Sequence, residues 1–370
     1  MDLQQYIKEL SLLVNEDCGT RTPAGVAKIA AILDELWRDA GWHTRTVNLG
    51  EEVGPGLLVT NKPDAERFDV LLVGHMDTVF PPGTVAQRPL THDEQRLYGP
   101  GASDMKSGLL NILWAMRDMP PEELARLSIA IAMNPDEETG SVHSREWIGQ
   151  LAQRASVALV CEAARVDGSL VKARKGMAHY RLTFSGVAAH AGNEPEKGRS
   201  AITALANAVL AVNALADTRQ GTTLNVGVIS GGDAPNVVAA HACADLDVRF
   251  WNNEEHTRVD AALRALCEKG YLDGVTTHLS CMSHTPAMTP GAGTEELMAL
   301  VERAGEREAI NITWQAVGGG SDANHIATLG IPTIDGLGPI GGGFHSPAEY
   351  LEIASIEPRI RLLRRIVCLL

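Results

Sequence analysis

The sequence lacks the cysteine pairs that zinc knuckles and disulfide frameworks use. Its six cysteines lie at positions 18, 161, 243, 267, 281 and 368, and no two of them are spaced as Cys-x-x-Cys. This pattern disfavours a disulfide-rich secreted domain and a cysteine-based zinc module. We therefore expect reduced thiols in a cytoplasmic protein.

Long apolar segments and an excess of basic residues are absent as well. No run approaches the roughly 18 apolar residues that a membrane-spanning helix needs. The N-terminal MDLQQYIKELSLLV has an early acid and a short apolar run, which is not typical of a signal peptide. A net charge of −14 argues against binding to nucleic acid or to an anionic membrane.

A chain of 370 residues is long enough for two domains. In its first and last thirds, short apolar runs alternate with helical patterns, which predicts an α/β fold with a mixed, largely parallel sheet flanked by helices. The predicted strands of this part are 57–61, 69–73, 128–133, 157–161 and 331–335. The predicted helices are 1–13, 24–40, 109–116 and 294–304.

The middle third has a different pattern, beginning with the alternating segment AHYRLTF at 178–184. Strand-like and helical segments then follow in the order β-α-β-β-α-β, which favours an inserted α+β, ferredoxin-like domain. We therefore predict one discontinuous domain over residues 1–175 and 286–370, and an inserted domain over 176–285.

Polar side chains follow three predicted strands of the outer domain. The run DVLLV at 69–73 leads into VGHMDTVFP with His75 and Asp77, and 128–133 leads into Glu137 and Glu138. Glu162 follows the strand at 157–161. Because ligands bind at the carboxyl ends of strands in open α/β sheets, we expect these side chains at one edge.

Two glycine-rich loops add further candidate ligands. The loop GPGASDMKSG contains Asp104, and GPIGGGFHS contains His345. Imidazole and carboxylate ligands together suit zinc, cobalt or manganese. A carboxylate near a ligating histidine, such as Asp77 beside His75, would fix the tautomer of the ring.

Each of these residues also has an ordinary structural explanation. Glu137 and Glu138 are acids of the kind that favour a solvated helix N-terminus. Asp104 has the chemistry of a helix N-cap, and His345 that of a surface loop residue. Their shared position at one edge of the sheet favours a metal site over separate explanations.

Six motifs carry a family resemblance: VGHMDTVFP, GPGASDMKSG, NPDEETGS, the Glu of CEAA, GGGSDANHIA and GFHSPAEY. Their order and spacing, from about residue 8 to 365, resemble the dinuclear-zinc aminoacylase/carboxypeptidase family. Within it the chain is most similar to bacterial glutamate carboxypeptidases. The resemblance implies two Zn²⁺ per subunit, with Co²⁺ or Mn²⁺ as substitutes. The implied ligands are His75 and Glu162 for one metal, Glu138 and His345 for the other, and Asp104 as the bridge.

The resemblance also implies a reaction. The family hydrolyses the amide bond to a C-terminal free amino acid, here expected to be glutamate, in N-acyl, folate-like or peptide substrates. A metal-activated bridging water attacks, Glu137 acts as acid and base, and Asp77 orients His75. The peptide bond from Asp104 to Met105 is expected to be cis.

For the inserted domain, the resemblance implies a lid that also pairs two subunits into a homodimer. His190, in VAAHAG, would stabilise the oxyanion in the partner's site. Asn236 and Arg249 match positions that hold the substrate carboxylate. Lys175, or Arg174 beside it, is expected near the substrate side chain. A loop histidine, an ion-paired strand face and simple surface exposure are the alternative explanations.

Other functions compete with this one. An N-acyl-amino-acid deacylase or a dipeptidase with a non-glutamate preference would keep the chemistry and change the substrate. A phosphoesterase would use a similar pair of metals, and a non-catalytic relative would keep only the fold. The presence of Glu137 beside a complete ligand set favours an active hydrolase.

Overall fold

Runs of buried apolar residues form the central strands of the protein, whose computed structural model describes residues 1–370. The strands in chain order are β1 (His43–Val47), β2 (Gly56–Thr60), β3 (Phe68–His75), β4 (Thr91–His92), β5 (Arg96–Tyr98), β6 (Ile129–Asn134), β7 (Ala155–Val160), β8 (Leu170–Arg174), β9 (Gly176–Ser185), β10 (Thr223–Gly231), β11 (His241–Phe250), β12 (Thr276–Thr285), β13 (Trp314–Val317), β14 (Thr333–Ile334), β15 (Gly341–Gly342) and β16 (Tyr350–Glu352). The α-helices are α1 (Leu3–Val14), α2 (Pro23–Asp39), α3 (Thr84–Gln87), α4 (Ser107–Arg117), α5 (Pro121–Arg126), α6 (Arg145–Ala152), α7 (Ala201–Asn213), α8 (Asn253–Lys269), α9 (Ala292–Glu308), α10 (Asp322–Ala327) and α11 (Ile353–Cys368).

The chain divides into two units, each with its own hydrophobic core. The first unit comprises Met1–Ala173, Pro290–Val317 and Ser321–Leu370. The second comprises Arg174–Thr289 and Gly318–Gly320. The predicted insert, 176–285, falls inside the second unit, and its role as a lid or dimerisation domain stays a prediction.

A six-stranded mixed sheet forms the centre of the first unit, in the order β1-β2-β6-β3-β7-β14. Strands β6, β3, β7 and β14 run parallel to their neighbours within this group, and β1 and β2 are antiparallel. Helices α1, α2, α4, α9 and α11 contribute buried side chains to the core around it. The predicted α/β fold with a mixed sheet flanked by helices is confirmed.

Burial explains why this sheet can be read from the sequence. Every residue of β6 is buried, as is the Val70–Val73 stretch of β3, so these strands are apolar on both faces. Residues Ser107–Met116 of α4 are all buried too, which makes α4 apolar on all sides.

Two smaller sheets position loops of the first unit. Strands β15, β16, β5 and β4 form an antiparallel sheet, in which Leu351 pairs with Leu97. This sheet holds the ends of the two glycine-rich loops, 99–108 and 338–346, next to one another. The other small sheet pairs β13 with β8.

The second unit is a four-stranded antiparallel sheet in the order β10-β11-β9-β12, with α7 and α8 on one face. Along β11 the buried residues are Ala242, Ala244, Leu246, Val248 and Phe250. The residues between them, from Cys243 to Arg249, lie half-buried on the opposite face. The alternation of apolar and polar residues along β11 therefore corresponds to one sheet face that is covered by helices and one that is not.

Two observations concern the whole chain. All six cysteines are free thiols. None of the helices combines the length and the apolar content that crossing a membrane requires.

Close packing of α4 against the end of β7 generates a prediction. A Cβ added at Gly108 would lie 2.1 Å from the carbonyl oxygen of Cys161, whereas one at Gly149, in α6, would lie 3.5 Å from its nearest neighbour. Gly108→Ala should lower the free energy of unfolding by about 1–3 kcal/mol through overpacking. Gly149→Ala, the matched control, should leave it unchanged or raise it by up to about 1 kcal/mol. Urea unfolding of both variants measures the difference, and equal stabilities would contradict this packing.

Candidate metal centre

The carboxyl ends of three adjacent strands deliver the first group of site residues. His75 is the last residue of β3, and Glu162 follows β7 by two residues. Glu137 and Glu138 begin a single 3₁₀ turn, Glu137–Thr139, shortly after β6. Because β6 and β7 are the parallel neighbours of β3, these side chains meet at one edge of the sheet, as predicted.

Asp104 lies between the two candidate histidines. Its Oδ1 is 3.2 Å from Nε2 of His75, and its Oδ2 is 3.2 Å from Nε2 of His345. It belongs to the tight turn Ala102–Lys106 that precedes α4, and the Asp104–Met105 peptide bond is cis, as expected. Lys106 occupies the N-cap position of α4 and makes no side-chain capping bond, so Asp104 is not the N-cap of this helix.

The three glutamates complete two overlapping groups. Oε1 of Glu162 lies 3.5 Å, and Oε2 of Glu137 lies 4.0 Å, from Nε2 of His75. Oε2 of Glu138 lies 3.2 Å from Nε2 of His345. The side chains of Glu137 and Glu138 are only 15% and 6% exposed, which rules out a solvated helix N-terminus.

Asp77 is hydrogen-bonded to both His75 and the turn that carries Glu137 and Glu138. Nδ1 of His75 lies 3.0 Å from the carbonyl oxygen and 3.3 Å from Oδ1 of Asp77. The same carboxylate accepts hydrogen bonds from the backbone N–H groups of Glu137 and Glu138, both at 3.2 Å, and from the hydroxyl of Thr20 at 2.5 Å. Asp77 therefore orients the imidazole and the glutamate turn together.

Neighbouring carboxylates raise the pKa of both imidazoles. Burial alone would lower the pKa of His75, but the charge of Glu162 and the hydrogen bond to Asp104 outweigh burial and raise that pKa well above its usual value. Hydrogen bonds to Asp104 and Glu138 raise the pKa of His345 to about 10. A histidine must lose this proton before it can bind a metal, so metal affinity should rise with pH and metal binding should release protons.

The pKa values of the acids in this site are shifted in opposite directions from their usual values. Burial raises the pKa of Glu137 well above its usual value, and the neighbouring charge of Glu162 adds to this effect. Burial also raises the pKa of Glu138. For Asp104, burial acts in the same sense, but hydrogen bonds to the two histidines outweigh it and lower the pKa.

The donor set fits a pair of divalent metal ions. Ligand atoms of His75, Asp104 and Glu138 lie within 4.8 Å of one another, and so do those of His75, Glu137 and Glu162. Imidazole nitrogens and carboxylate oxygens are ligands that zinc accepts. Four carboxylates this close repel one another, and bound cations would remove that repulsion.

Two buried acids that the sequence reasoning missed support the site. The carboxylate of Glu349 accepts hydrogen bonds from the backbone N–H groups of Gly101, Ser103 and Asp104, at 2.9, 2.9 and 3.0 Å. It thereby holds the turn that presents Asp104. Glu349 lies within the motif GFHSPAEY, but its backbone partners are about 245 residues away in the sequence.

Asp322 is the second of these acids. It accepts hydrogen bonds from the hydroxyl of Ser141, at 2.5 Å, and from the side-chain amide of Asn134. These two residues flank the Glu137–Glu138 turn. Burial raises the pKa of Asp322 to about 7. Its motif, GGGSDANHIA, was part of the resemblance, yet no local pattern assigns it this supporting position.

The second unit brings His190 and Asn236 together. Val237 pairs with His190 in a short bridge, and the carbonyl oxygen of Asn236 accepts the N–H of Ala191 at 3.0 Å. Nδ1 of His190 accepts the backbone N–H groups of Gly192 and of the next residue, each at 3.1 Å. An acceptor at Nδ1 leaves the proton on Nε2, which makes the exposed edge of the ring a hydrogen-bond donor.

Lys175 and Arg249 form a separate pair in the second unit. Burial lowers the pKa of Lys175, and the nearby charge of Arg249 adds to this effect. Nζ of Lys175 donates to the carbonyl oxygen of Gly221 at 2.6 Å and lies 5.2 Å from the ring centre of Trp251. Nε of Arg249 lies 2.9 Å from Oδ2 of Asp247, so the ion-paired strand face is present in the structure.

The sequence is similar to that of known proteins. The model of peptidase family M20/M25/M40 matches residues 71–368. Carboxypeptidase G2 from Pseudomonas sp. (strain RS-16) is 30% identical over 98% of this chain and 88% of its own length. Acetylornithine deacetylase from Proteus mirabilis (strain HI4320) is 29% identical over 80% of this chain and 78% of its own.

A solved structure supports the same fold. Aminopeptidase PepT from Bacillus cereus ATCC 10987 superposes with a TM-score of 0.80, at 24% identity, over 100% of this chain and 99% of that one. The family indicated by the motifs is thus confirmed. The chain belongs to peptidase family M20/M25/M40 and is a metal-dependent hydrolase.

Proposed function

We propose that the protein is a dinuclear metallocarboxypeptidase that hydrolyses the amide bond to a C-terminal free amino acid, with glutamate as the preferred residue. The observation that carries this proposal is Asp104, whose two oxygens each face a different histidine at 3.2 Å. A carboxylate in this position suits a bridge between two metal ions, with His75 and Glu162 on one side and Glu138 and His345 on the other.

The residues of the chain divide the remaining chemical work. When bound, the metal pair would polarise the scissile carbonyl and lower the pKa of the attacking water. Glu137 would take the proton of that water and pass it to the leaving nitrogen. Burial raises the pKa of Glu137, which strengthens it as a proton acceptor. Asp77 would keep His75 in the tautomer that binds through Nε2.

The second unit would supply the contacts to the substrate. A protonated Nε2 of His190 would donate to the developing oxyanion in the partner subunit of a homodimer. Asn236 and Arg249 would hold the free carboxylate of the substrate, and Lys175 would face its side chain. We further infer a cytoplasmic enzyme that uses zinc, for which cobalt or manganese can substitute.

The alternative is an N-acyl-amino-acid deacylase or a dipeptidase with another side-chain preference. The similarity to acetylornithine deacetylase favours keeping this alternative open to test. Glutamate as the released residue rests on the similarity to carboxypeptidase G2. The carboxypeptidase and its alternative would use the same metal centre, so they differ only in the substrate that they cleave.

Substrate selection tests the proposal directly. Zinc-loaded protein would be assayed on N-acyl amino acids that differ only in the released residue, namely Glu, Asp, Ala, Leu and Arg, and on a folate-like glutamate conjugate. Preference for glutamate supports the carboxypeptidase, and preference for another residue supports the alternative. No hydrolysis by protein with two metals bound would contradict both.

The proton-transfer role of Glu137 leads to a first prediction for this site. Glu137→Gln should lower kcat by at least about 100-fold, because general acid and base catalysis contributes about 10²–10⁴-fold. Metal content, measured by elemental analysis, should stay at the wild-type value. Loss of metal together with activity would instead make Glu137 a ligand.

The bridging position of Asp104 predicts that its substitution changes the metal content, unlike that of Glu137. Asp104→Ala should remove at least one of the two metals, because the variant loses the carboxylate that both histidines face. Equilibrium dialysis against zinc followed by elemental analysis measures the stoichiometry. Asp273→Ala, which removes an exposed acid between α8 and β12 of the second unit, serves as the control. An unchanged stoichiometry in Asp104→Ala would rule out the bridge.

Action of His190 from the partner subunit predicts complementation. His190→Ala should lower kcat at unchanged metal content, because it removes an oxyanion donor. Dimers that combine a His190→Ala subunit with a Glu137→Gln subunit should regain activity in one of their two sites. Sedimentation of the wild type should give about twice the 39.5 kDa of the chain. A monomer, or mixtures without recovery, would contradict action in trans.

A further inference from the structure

A cavity of about 350 Å³ lies in the first unit beside Glu138. Two chain segments and the glutamate turn line it: residues 19–22, residues 78–82, and Glu138 with Thr139. Its volume is within the range of small-ligand pockets, roughly 300–1,000 Å³. None of the roles proposed above uses this cavity.

Backbone contacts hold the two lining segments together. Gly19 pairs with Thr78 in a parallel bridge, and the N–H of Thr20 donates to the carbonyl oxygen of Thr78 at 3.2 Å. A Cβ at Gly19 would lie 2.4 Å from the carbonyl oxygen of Phe80, so only glycine permits this approach. The fold therefore fixes the backbone of the two segments that line the cavity, while the side chains of Arg21 and Val79 are exposed to solvent.

Arg21 is the only basic residue that lines the cavity, and no hydrogen bond or ion pair involves its side chain. The acids that precede it in the chain are occupied elsewhere. The carboxylate of Asp17 accepts the N–H groups of Gly83, at 2.6 Å, and Val85, at 3.0 Å. Glu16 is paired with Lys28 at 2.7 Å. The guanidinium of Arg21 is thus left available to a ligand.

The other polar groups of the cavity are mostly engaged. The hydroxyl of Thr20 donates to Asp77, that of Thr139 donates to the carbonyl oxygen of Asp136, and that of Thr78 accepts the N–H of Phe80. Glu138 is a proposed metal ligand, so a metal would balance its charge. Arg21 then contributes the one formal charge that the wall offers to a ligand.

The apolar part of the wall consists of Val79, Phe80, Pro81 and Pro82. An aromatic ligand would stack best on Phe80, but the guanidinium of Arg88 already lies 4.8 Å from the centre of that ring. A short aliphatic chain that ends in an anion therefore fits the wall better than an aromatic group. Arginine suits such an anion because its planar fork matches a carboxylate.

We propose that this cavity binds the acyl part of the substrate and that Arg21 selects acyl groups that end in a carboxylate. The inference rests on the proposed amide hydrolysis, in which the scissile carbonyl lies at the metal centre. Glu138 is both a proposed metal ligand and a residue of the cavity wall. An acyl chain that extends from the metal centre past Glu138 would therefore enter the cavity. The natural substrates would then be N-dicarboxylyl amino acids or peptides with an acidic residue before the scissile bond.

A matched pair of substrates tests this selection. The N-succinyl and N-succinamoyl derivatives of one amino acid, the best one in the panel above, have nearly the same shape and differ by one charge. Wild-type protein should prefer the succinyl compound in kcat/KM by about tenfold or more, since hydrogen bonds to charged groups are strong. Arg21→Gln should bring the ratio close to one, chiefly through KM, and Arg21→Lys should retain part of it. Arg303→Gln, which removes an exposed and unpaired arginine of α9, should leave it unchanged.

Binding supplies a second readout that does not need turnover. Calorimetry with the metal-loaded Glu137→Gln protein should give a Kd for the succinyl compound about tenfold below that for the succinamoyl compound. Adding Arg21→Gln should remove this difference.

Hydrolysis at an equal rate for both compounds, or a preference that persists in Arg21→Gln, would overturn the selection and leave the proposed function intact. Absence of hydrolysis in the whole panel would overturn the proposed function, and equal Kd values would then overturn the selection as well.

Discussion

The buried carboxylate of Asp77 is the constraint on which the candidate site depends. It is fully buried, and its partners come from three separate parts of the first unit: His75 at the end of β3, Thr20 in the first loop, and the Glu137–Glu138 turn. A buried carboxylate without such partners would be costly, so its own need for hydrogen bonds draws these segments together. The placement of Glu137, the proposed catalytic acid, and of Glu138, a proposed metal ligand, thereby follows from the hydrogen bonds that the Asp77 carboxylate requires.

The part of the site that could be predicted from sequence is the part that strand order determines. Buried strands are recognisable because both of their faces are apolar, and the parallel arrangement of β6, β3 and β7 places the residues after them at one edge. His75 and Glu162 follow from this reasoning alone. His345 does not, since it lies in a glycine-rich loop outside these strands. The sequence offers it as a candidate ligand, and the family resemblance implies which metal it would bind.

Other features depend on contacts that leave no local pattern. Glu349 binds the backbone of residues some 245 positions away, and Asp322 binds Asn134 across 188. Backbone N–H groups are present at every residue, so no sequence motif marks the ones that a distant acid will bind. The same limit explains the alternatives for Asp104 and Glu137, whose local sequences suit a helix start equally well. For the second unit, the alternating segment predicted at 178–184 lies within β9, whereas the roles of this unit in closing and pairing stay predictions.

The discontinuity of the first unit has a consequence for biosynthesis. The ribosome makes a protein from its N-terminus, so His75, Asp104, Glu138 and Glu162 emerge before the second unit, and His345 emerges after it. Four of the five proposed metal ligands are therefore present in the nascent chain while more than a hundred further residues are translated. The Glu349 carboxylate, which secures the turn of Asp104, arrives only four residues after His345. The proposed metal centre can therefore be completed only at the last steps of translation. A prematurely terminated chain would lack both His345 and the Glu349 carboxylate that supports the turn of Asp104.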